Sequence, residues 1–179
     1  MKKLIFITAL LLCSFNVIHA QGELRFGASA GVNFSGVNGD DTKNTDGRTG
    51  FRVGAVVDIG ITEKFSVQPV VAISIQGWKD RGLDIKANYV VVEAKADYEV
   101  VDGLSLQAGP LVGFNIHASV DQDDITNFKS TNIGALVAAQ YEFPFELFVN
   151  VQYDMGFSDL IPNFDARNRN LSISLGKFF

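Results

Sequence analysis

From residue 24 onward, hydrophobic and polar residues alternate with a period of two in eight separate segments. In the first, Leu24–Phe34, every even-numbered residue is apolar, and the residues between them are Arg, Gly, Ser or Asn. A helix, with its period of 3.6 residues, would mix these two sets, so the pattern predicts a β-strand. The other seven segments are Phe51–Ile59, Phe65–Gln76, Lys86–Val100, Leu104–His117, Asn132–Phe143, Leu147–Phe157 and Leu171–Phe179.

The connections between these segments are alternately long and short. Residues 35–49, 77–84, 118–129 and 158–168 are rich in Asp, Asn, Gly, Lys and Arg, whereas 60–64, 99–103 and 143–146 are tight. This asymmetry is typical of outer-membrane barrels, in which short turns face the periplasm and longer loops face outside. The sequence therefore predicts an all-β fold, an eight-stranded antiparallel up-and-down transmembrane β-barrel. An even strand count would leave both termini on the periplasmic side.

The composition of the two strand faces favours a membrane over a soluble barrel. A soluble, lipocalin-like barrel would turn its apolar face inward around a ligand. Here the polar face is mostly Gly, Ser, Asn and Gln, which suits a narrow lumen filled by side chains better than a water-facing surface. Aromatic residues near the segment ends are expected to form two interfacial girdles; they are Phe51, Phe65, Tyr89, Tyr98, Tyr141, Phe143, Phe145, Phe157 and Phe179.

Eight charged residues fall on the predicted lumen face. Because unpaired charges in a closed interior are costly, we expect them to pair and hydrogen-bond with one another. This interpretation favours a structural network over a proton or ion path. The residues are Arg25, Arg52, Asp58, Glu93, Lys95, Asp97, Glu142 and Asp154.

The first twenty residues have the layout of a cleavable signal peptide. Lys2 and Lys3 precede the apolar run Leu4–Leu12, and Ala20 supplies a small residue before a cleavage point. Processing at Cys13 as a lipoprotein is a weaker alternative, because the lipoprotein peptidase requires a small residue just before the cysteine and Leu12 is large. The predicted domains are therefore a signal peptide, residues 1–20, and a barrel, residues 21–179. The net charge of −5 gives no indication of a basic surface that would bind nucleic acid.

Candidate chemistry is sparse. His117, with Ser119 and Asp121 close by, could belong to an outer-membrane enzyme that modifies lipid A, because a histidine next to a carboxylate can activate a hydroxyl. The acidic loop Asp121–Asp124, with Asp40 and Asp41 in the first loop, could bind Ca²⁺, but no EF-hand spacing or His/Cys cluster is present. We therefore expect no cofactor and no catalytic site.

Three stretches resemble a known family. Gly50–Gly77 resembles the second hairpin of the small outer-membrane β-barrel proteins common in Bacteroidota, a PorT-like or generic outer-membrane β-barrel domain family. Leu104–Phe114 is similar to that family's fifth strand, and Tyr153–Pro162 followed by Arg167–Phe179 to its closing hairpin. The resemblance implies an outer-membrane location and no catalytic residue. It also implies that the terminal aromatic, Phe179, is read by the barrel-assembly machinery.

These observations predict a non-enzymatic outer-membrane barrel with a packed polar lumen and a structural or interaction role through its extracellular loops. The expected partners are outer-membrane lipid and lipopolysaccharide, the barrel-assembly machinery and an envelope protein. Two alternatives remain, the lipid A-modifying enzyme and the soluble periplasmic barrel that binds an apolar ligand. A small diffusion pore is disfavoured by the strand count.

Overall fold

A computed structural model describes residues 23–39, 45–80, 82–121, 123–124, 129–161 and 164–179. The predicted signal peptide lies outside these residues. The strands are β1 Leu24–Asn38, β2 Thr45–Gly60, β3 Phe65–Asp80, β4 Leu83–Val101, β5 Leu104–Val120, β6 Asp123–Asp124, β7 Thr131–Glu142, β8 Leu147–Ile161 and β9 Phe164–Phe178. Within this part of the chain, no helix is long and apolar enough to cross a membrane.

Eight long strands form a closed antiparallel barrel. Neighbouring long strands along the chain pair with one another, β5 pairs with β7, and β1 closes the barrel against β9. The two-residue β6 only extends the edge of β5. The register of β1 on β9 places Gly27 opposite Phe178, so both ends of the barrel chain lie at the short-turn end. The predicted fold class is confirmed.

The barrel wall exposes its apolar residues and buries its polar ones. Phe26, Val53 and Leu175 are 57%, 56% and 59% exposed, whereas Gln152 is 1% exposed. A water-soluble barrel would have the opposite arrangement, because exposed apolar surface in water is unfavourable. The predicted assignment of the two strand faces is therefore confirmed.

The apolar outer surface forms a band of the height expected for a membrane barrel. On β1 it runs from Leu24 to Phe34, roughly ten steps of ~3.3 Å along a strand tilted by about 40°, or about 25 Å along the barrel axis. On β9 its outward residues are Leu171, Ile173 and Leu175, followed by Lys177 and, just after the strand, by Phe179; at the other end the next outward residue is Arg169. This band, on all strands, is called the apolar belt below.

The prediction of four long loops at the end opposite the short turns is wrong for three of them; only the connection between β5, which ends at Val120, and β7, which begins at Thr131, is long. Only residues 81–82 separate β3 from β4, and only 162–163 separate β8 from β9. β1 and β2 likewise continue to Asn38 and from Thr45, well into the predicted loop 35–49. The outward apolar alternation stops in these segments, which is typical of loops, but hydrogen-bonded strand pairing continues beyond the belt.

Candidate functional site

Arg25 joins three strands at the short-turn end of the lumen. Its guanidinium donates from Nη2 to Asp58 Oδ2 at 2.7 Å and from Nη1 to Glu142 Oε1 at 2.6 Å. The same group lies 4.4 Å from the ring centroid of Phe178, close enough for a cation–π contact. One cation on β1 thus neutralises carboxylates on β2 and β7. These strands lie on different sides of the lumen.

A second charged group lies deeper in the lumen. Arg52 Nη2 is 2.8 Å from Glu93 Oε1, and Lys95 Nζ is 3.7 Å from Glu93 Oε2. Gln152 donates to both Glu93 and Asp154, at 2.9 and 2.7 Å. All five residues are at most 6% exposed. The pairing compensates charges that would be expensive to bury alone.

Neutral side chains link Asp97 to the group around Arg25. Asp97 accepts hydrogen bonds from Ser105 and Gln107. Gln107 also donates to Gln68, and Gln68 donates to Asp58. The structure thus places all eight sequence-predicted charges inside the barrel, in two groups: Arg25, Asp58, Glu142 and Asp97 at the short-turn end, and Arg52, Glu93, Lys95 and Asp154 deeper inside.

The lumen is not purely polar, contrary to the prediction. Apolar clusters alternate with the charged groups, one around Phe148 and Phe178 and another around Tyr89, Leu111 and Leu136. Tyr89 was expected in an interfacial girdle, but it is 2% exposed and faces inward. Its odd-numbered position matches the inward residues of β4, so strand parity, given more weight than residue type, would have placed it correctly.

Open space inside the barrel is small at mid-lumen. The cavity between Arg52, Lys95 and Gln152 measures about 20 Å³, room for about one water molecule. A wider cavity of about 690 Å³ lies at the short-turn end beside Arg25 and Asp58. Among the described residues, the lumen is therefore a packed interior that opens at the short-turn end.

At the opposite end the two faces of the barrel wall exchange character. Inside, Val37, Trp78, Leu160 and Ala166 form an apolar cluster, with Trp78 4% exposed. Outside, Arg48 pairs with Asp84 at 2.9 Å, and Arg167 and Lys129 lie within 4.0 Å of Asp159. This arrangement, apolar inside and charged outside, is that of a water-soluble protein. We call this part of the barrel, beyond the apolar belt, the outer extension; it consists of residues 35–38, 45–48, 77–80, 83–87, 117–120, 158–161 and 164–169.

The structure does not bring the proposed lipid A-modifying residues together in one accessible site. The pairing of β4 with β5 shifts by one residue between Asn115 and His117, and Ile116 and His117 are both exposed. Ser119, two residues further on, is 3% exposed. A nucleophile covered in this way is poorly placed to reach a lipid. The strand shift was not visible in the alternation of residue types.

The remaining sequence candidates are a metal site and the terminal aromatic. Among the described residues, no group of three or more His, Cys, Asp or Glu side chains could hold a metal ion. Asp40, Asp41 and the side chains of Asp123 and Asp124 lie outside what is described. Phe179 is 74% exposed at the short-turn end, and its N–H donates to Phe26 O at 2.7 Å.

A closed barrel with an apolar exterior and a packed, charge-paired lumen defines the class of transmembrane β-barrels. The chain belongs to the outer membrane protein β-barrel domain family, whose family model matches residues 19–162. This match confirms the predicted family at the level of outer-membrane β-barrel proteins and supports a place in the bacterial outer membrane. No curated protein matches the chain closely enough to count as a relative.

Solved structures give the same fold. The chain is similar to Neisserial surface protein A, with a TM-score of 0.65 and 18% identity over 86% of this chain and 97% of that one. It is also similar to Ail, the attachment invasion locus protein of Yersinia pestis, solved with the heparin analogue sucrose octasulfate. That comparison gives a TM-score of 0.58 and 18% identity over 88% and 99% of the two chains. At this identity the likeness supports the fold alone.

Proposed function

We propose that this protein is a non-enzymatic, non-conducting outer-membrane barrel whose outer extension contacts another component of the cell envelope. The observation that carries the proposal is the exchange of faces beyond the apolar belt. Trp78 and its neighbours make the extension a packed interior, and its outer surface carries charged residues such as Lys79 and Arg167. Paired strands hold those charges more rigidly than loops would, which lowers the entropic cost of binding a partner.

The lumen supports the non-conducting part of the proposal. An eight-stranded barrel leaves room only for packed side chains, and here the ion-paired group around Glu93 occupies mid-lumen. Purified barrel in planar lipid bilayers should therefore show no stepwise conductance. Regular single-channel steps would contradict this part.

We further infer the orientation in the membrane, with the short turns and both termini in the periplasm and the extension outside. We also infer removal of residues 1–20, reading of Phe179 by the assembly machinery, and membership of the Bacteroidota PorT-like branch. The chain after Cys13 has no cysteine, so single cysteines report orientation cleanly. In whole cells, a membrane-impermeant maleimide should label Lys79→Cys and leave Glu63→Cys, in a short turn, unlabelled. The reverse labelling would invert the orientation.

The interaction role can be tested by complementing a deletion strain. One variant lacks the paired residues Trp78–Asp80 and Leu83–Ile85, so the third hairpin is shorter by three pairs. A second carries Lys79→Glu and Lys86→Glu and keeps the strand length. The wild-type protein should return envelope permeability or partner assembly to normal. Both variants should fail to do so, although they reach the outer membrane.

The folded state of each variant is checked by a heat-dependent shift in gel mobility of the outer-membrane fraction. A deletion strain with no envelope defect, or full complementation by both variants, would refute the interaction role. The enzyme alternative predicts altered lipid A in cells that overproduce the protein, whereas we expect unchanged lipid A.

A further inference from the structure

A depression of about 430 Å³ lies in the outer wall where β1, β2 and β9 meet. Two glycines, Gly36 on β1 and Gly47 on β2, lie in it and contribute no side chain. Gly36 is the cross-strand partner of Arg169 on β9. A Cβ atom built on Gly36 would lie 3.4 Å from Arg169 Nε, so the guanidinium group extends over the bare backbone at this point.

The two edges of the depression differ in chemistry. On one edge Phe34, Leu171 and Tyr153 are 47%, 38% and 39% exposed and continue the apolar belt. On the other edge Arg169 is exposed, and no ion pair joins it to any residue that the structure describes. By contrast, Arg48 beside it is already paired with Asp84.

The height of the depression is that of a lipid headgroup. Leu171 is the last outward apolar residue of the belt on β9, and Arg169 is the next outward position on that strand. A phosphate at the surface of the hydrocarbon layer would therefore be level with the guanidinium group, and the acyl chain attached to it would run down over the apolar edge. Arginine binds phosphate through a planar, often bidentate pair of N–H donors.

We propose that this depression is a binding site for the phosphorylated headgroup of a membrane lipid, with Arg169 on the phosphate and an acyl chain against Phe34, Leu171 and Tyr153. With the orientation proposed above, on which this assignment rests, the lipid belongs to the outer leaflet, where the phosphorylated species is lipid A. The absence of a side chain at Gly36 lets the Arg169 guanidinium lie against the wall, and the absence of one at the exposed Gly47 leaves space beside it for the headgroup.

Native mass spectrometry of the full barrel in detergent micelles tests the site. The probes are bis-phosphorylated lipid A, its monophosphorylated form, and inorganic phosphate in large excess as competitor. Arg169→Gln removes the cation, and Gly36→Val adds a side chain beneath the guanidinium group; its Cβ would lie 3.4 Å from Arg169 Nε and 3.9 Å from the nearest backbone atom, Gly47 Cα. Each should reduce occupancy of the first lipid A by about tenfold, the scale of a lost hydrogen bond to a charged group.

Arg167→Gln is the matched control, because it removes the same charge from the same strand outside the depression. It should bind lipid A as wild type does, and inorganic phosphate should not compete. Equal retention by wild type, Arg169→Gln and Gly36→Val would overturn the site, and competition by phosphate alone would overturn the lipid assignment. The heat-dependent gel shift confirms folding of each variant. Because the assay uses isolated barrel, a negative result leaves the interaction role to the complementation test.

Discussion

Arg52 on β2 and Glu93 on β4 form an ion pair of 2.8 Å in the middle of the lumen, across the width of the strand that separates them. Both side chains are at most 5% exposed. Lys95 lies 3.7 Å from the other carboxylate oxygen, so Glu93 contacts both cations of the group, and Asp154 is the second anion. Removing one member of a buried pair leaves its partner uncompensated, which costs about 3–5 kcal/mol.

Substitutions in this group should therefore lower the free energy of unfolding by different amounts. Glu93→Gln removes the one carboxylate that both Arg52 and Lys95 contact, so that Asp154 is the only anion left in the group. It should lower the free energy of unfolding more than Arg52→Met, which leaves Glu93 with Lys95. The double variant should cost less than the sum of the two, because the sites interact. Urea titration of barrels in lipid vesicles measures all three. Strict additivity would show that the pair does not act as a unit, and equal effects of the single variants would contradict the larger role of Glu93.

The ion pairs that Arg25 forms with Asp58 and Glu142 should stabilise the short-turn end of the barrel. Arg25→Gln loses charge-assisted hydrogen bonds to Asp58 and Glu142 and should cost about 1–3 kcal/mol. Arg25→Lys should recover only part of this, because an ammonium group lacks the planar fork that reaches both carboxylates. Lys177→Gln, an exposed charge near the same end, is the control for unfolding midpoints. An unfolding midpoint of Arg25→Gln equal to that of Lys177→Gln would show that the ion pairs of Arg25 do not stabilise the barrel.

The only tryptophan of the chain reports on the outer extension. Trp78 is 4% exposed within the apolar cluster inside the barrel, above the belt. Its fluorescence should therefore resist quenching both by aqueous iodide and by brominated lipid acyl chains, and unfolding in urea should restore iodide quenching. Strong quenching by brominated lipid would place Trp78 in the bilayer, and strong iodide quenching of the folded barrel would mean that the extension is open to water.

Close packing inside the barrel should make one glycine position sensitive to a single methyl group. A Cβ atom on Gly176 would meet the ring of Phe148 and lie 2.7 Å from Ala28 O. We expect Gly176→Ala to lower the free energy of unfolding by about 1–3 kcal/mol through overpacking. Gly36→Ala, on the outer wall with no atom closer than 3.4 Å, is the matched control and should be close to neutral. Equal unfolding midpoints for the two variants would contradict tight packing at Gly176.

The sequence predicted the strands and the faces of their residues well, and it predicted the ends of the strands poorly. Period-two alternation predicted eight strands and the direction in which each side chain points, because the pleat turns successive residues to opposite faces. The outward positions of Phe26 and Val53 and the inward positions of Arg52 and Glu93 follow from this local rule alone. It fails where the strand register shifts, as it does next to His117.

The rule also fails where the surroundings change along a strand. Trp78 lies inside the outer extension and Phe26 faces outward from the belt, although both are large aromatic residues on well-formed strands. In lipid the apolar side chain belongs outside, and in water it belongs inside. Alternation of residue types therefore loses its simple meaning near the membrane boundary. For this reason the alternation predicts loops where the structure has the ends of strands.

The sequence by itself determined the strand count, the antiparallel order and the chemistry of the two faces, because these depend on neighbouring residues and on short turns. Only the tertiary structure decided which inward charges meet. Arg25 and Glu142 are 117 positions apart and come together because closure and strand tilt bring residues of distant strands to the same height in the lumen. That stagger is a property of the closed barrel, and no single segment of the sequence contains it.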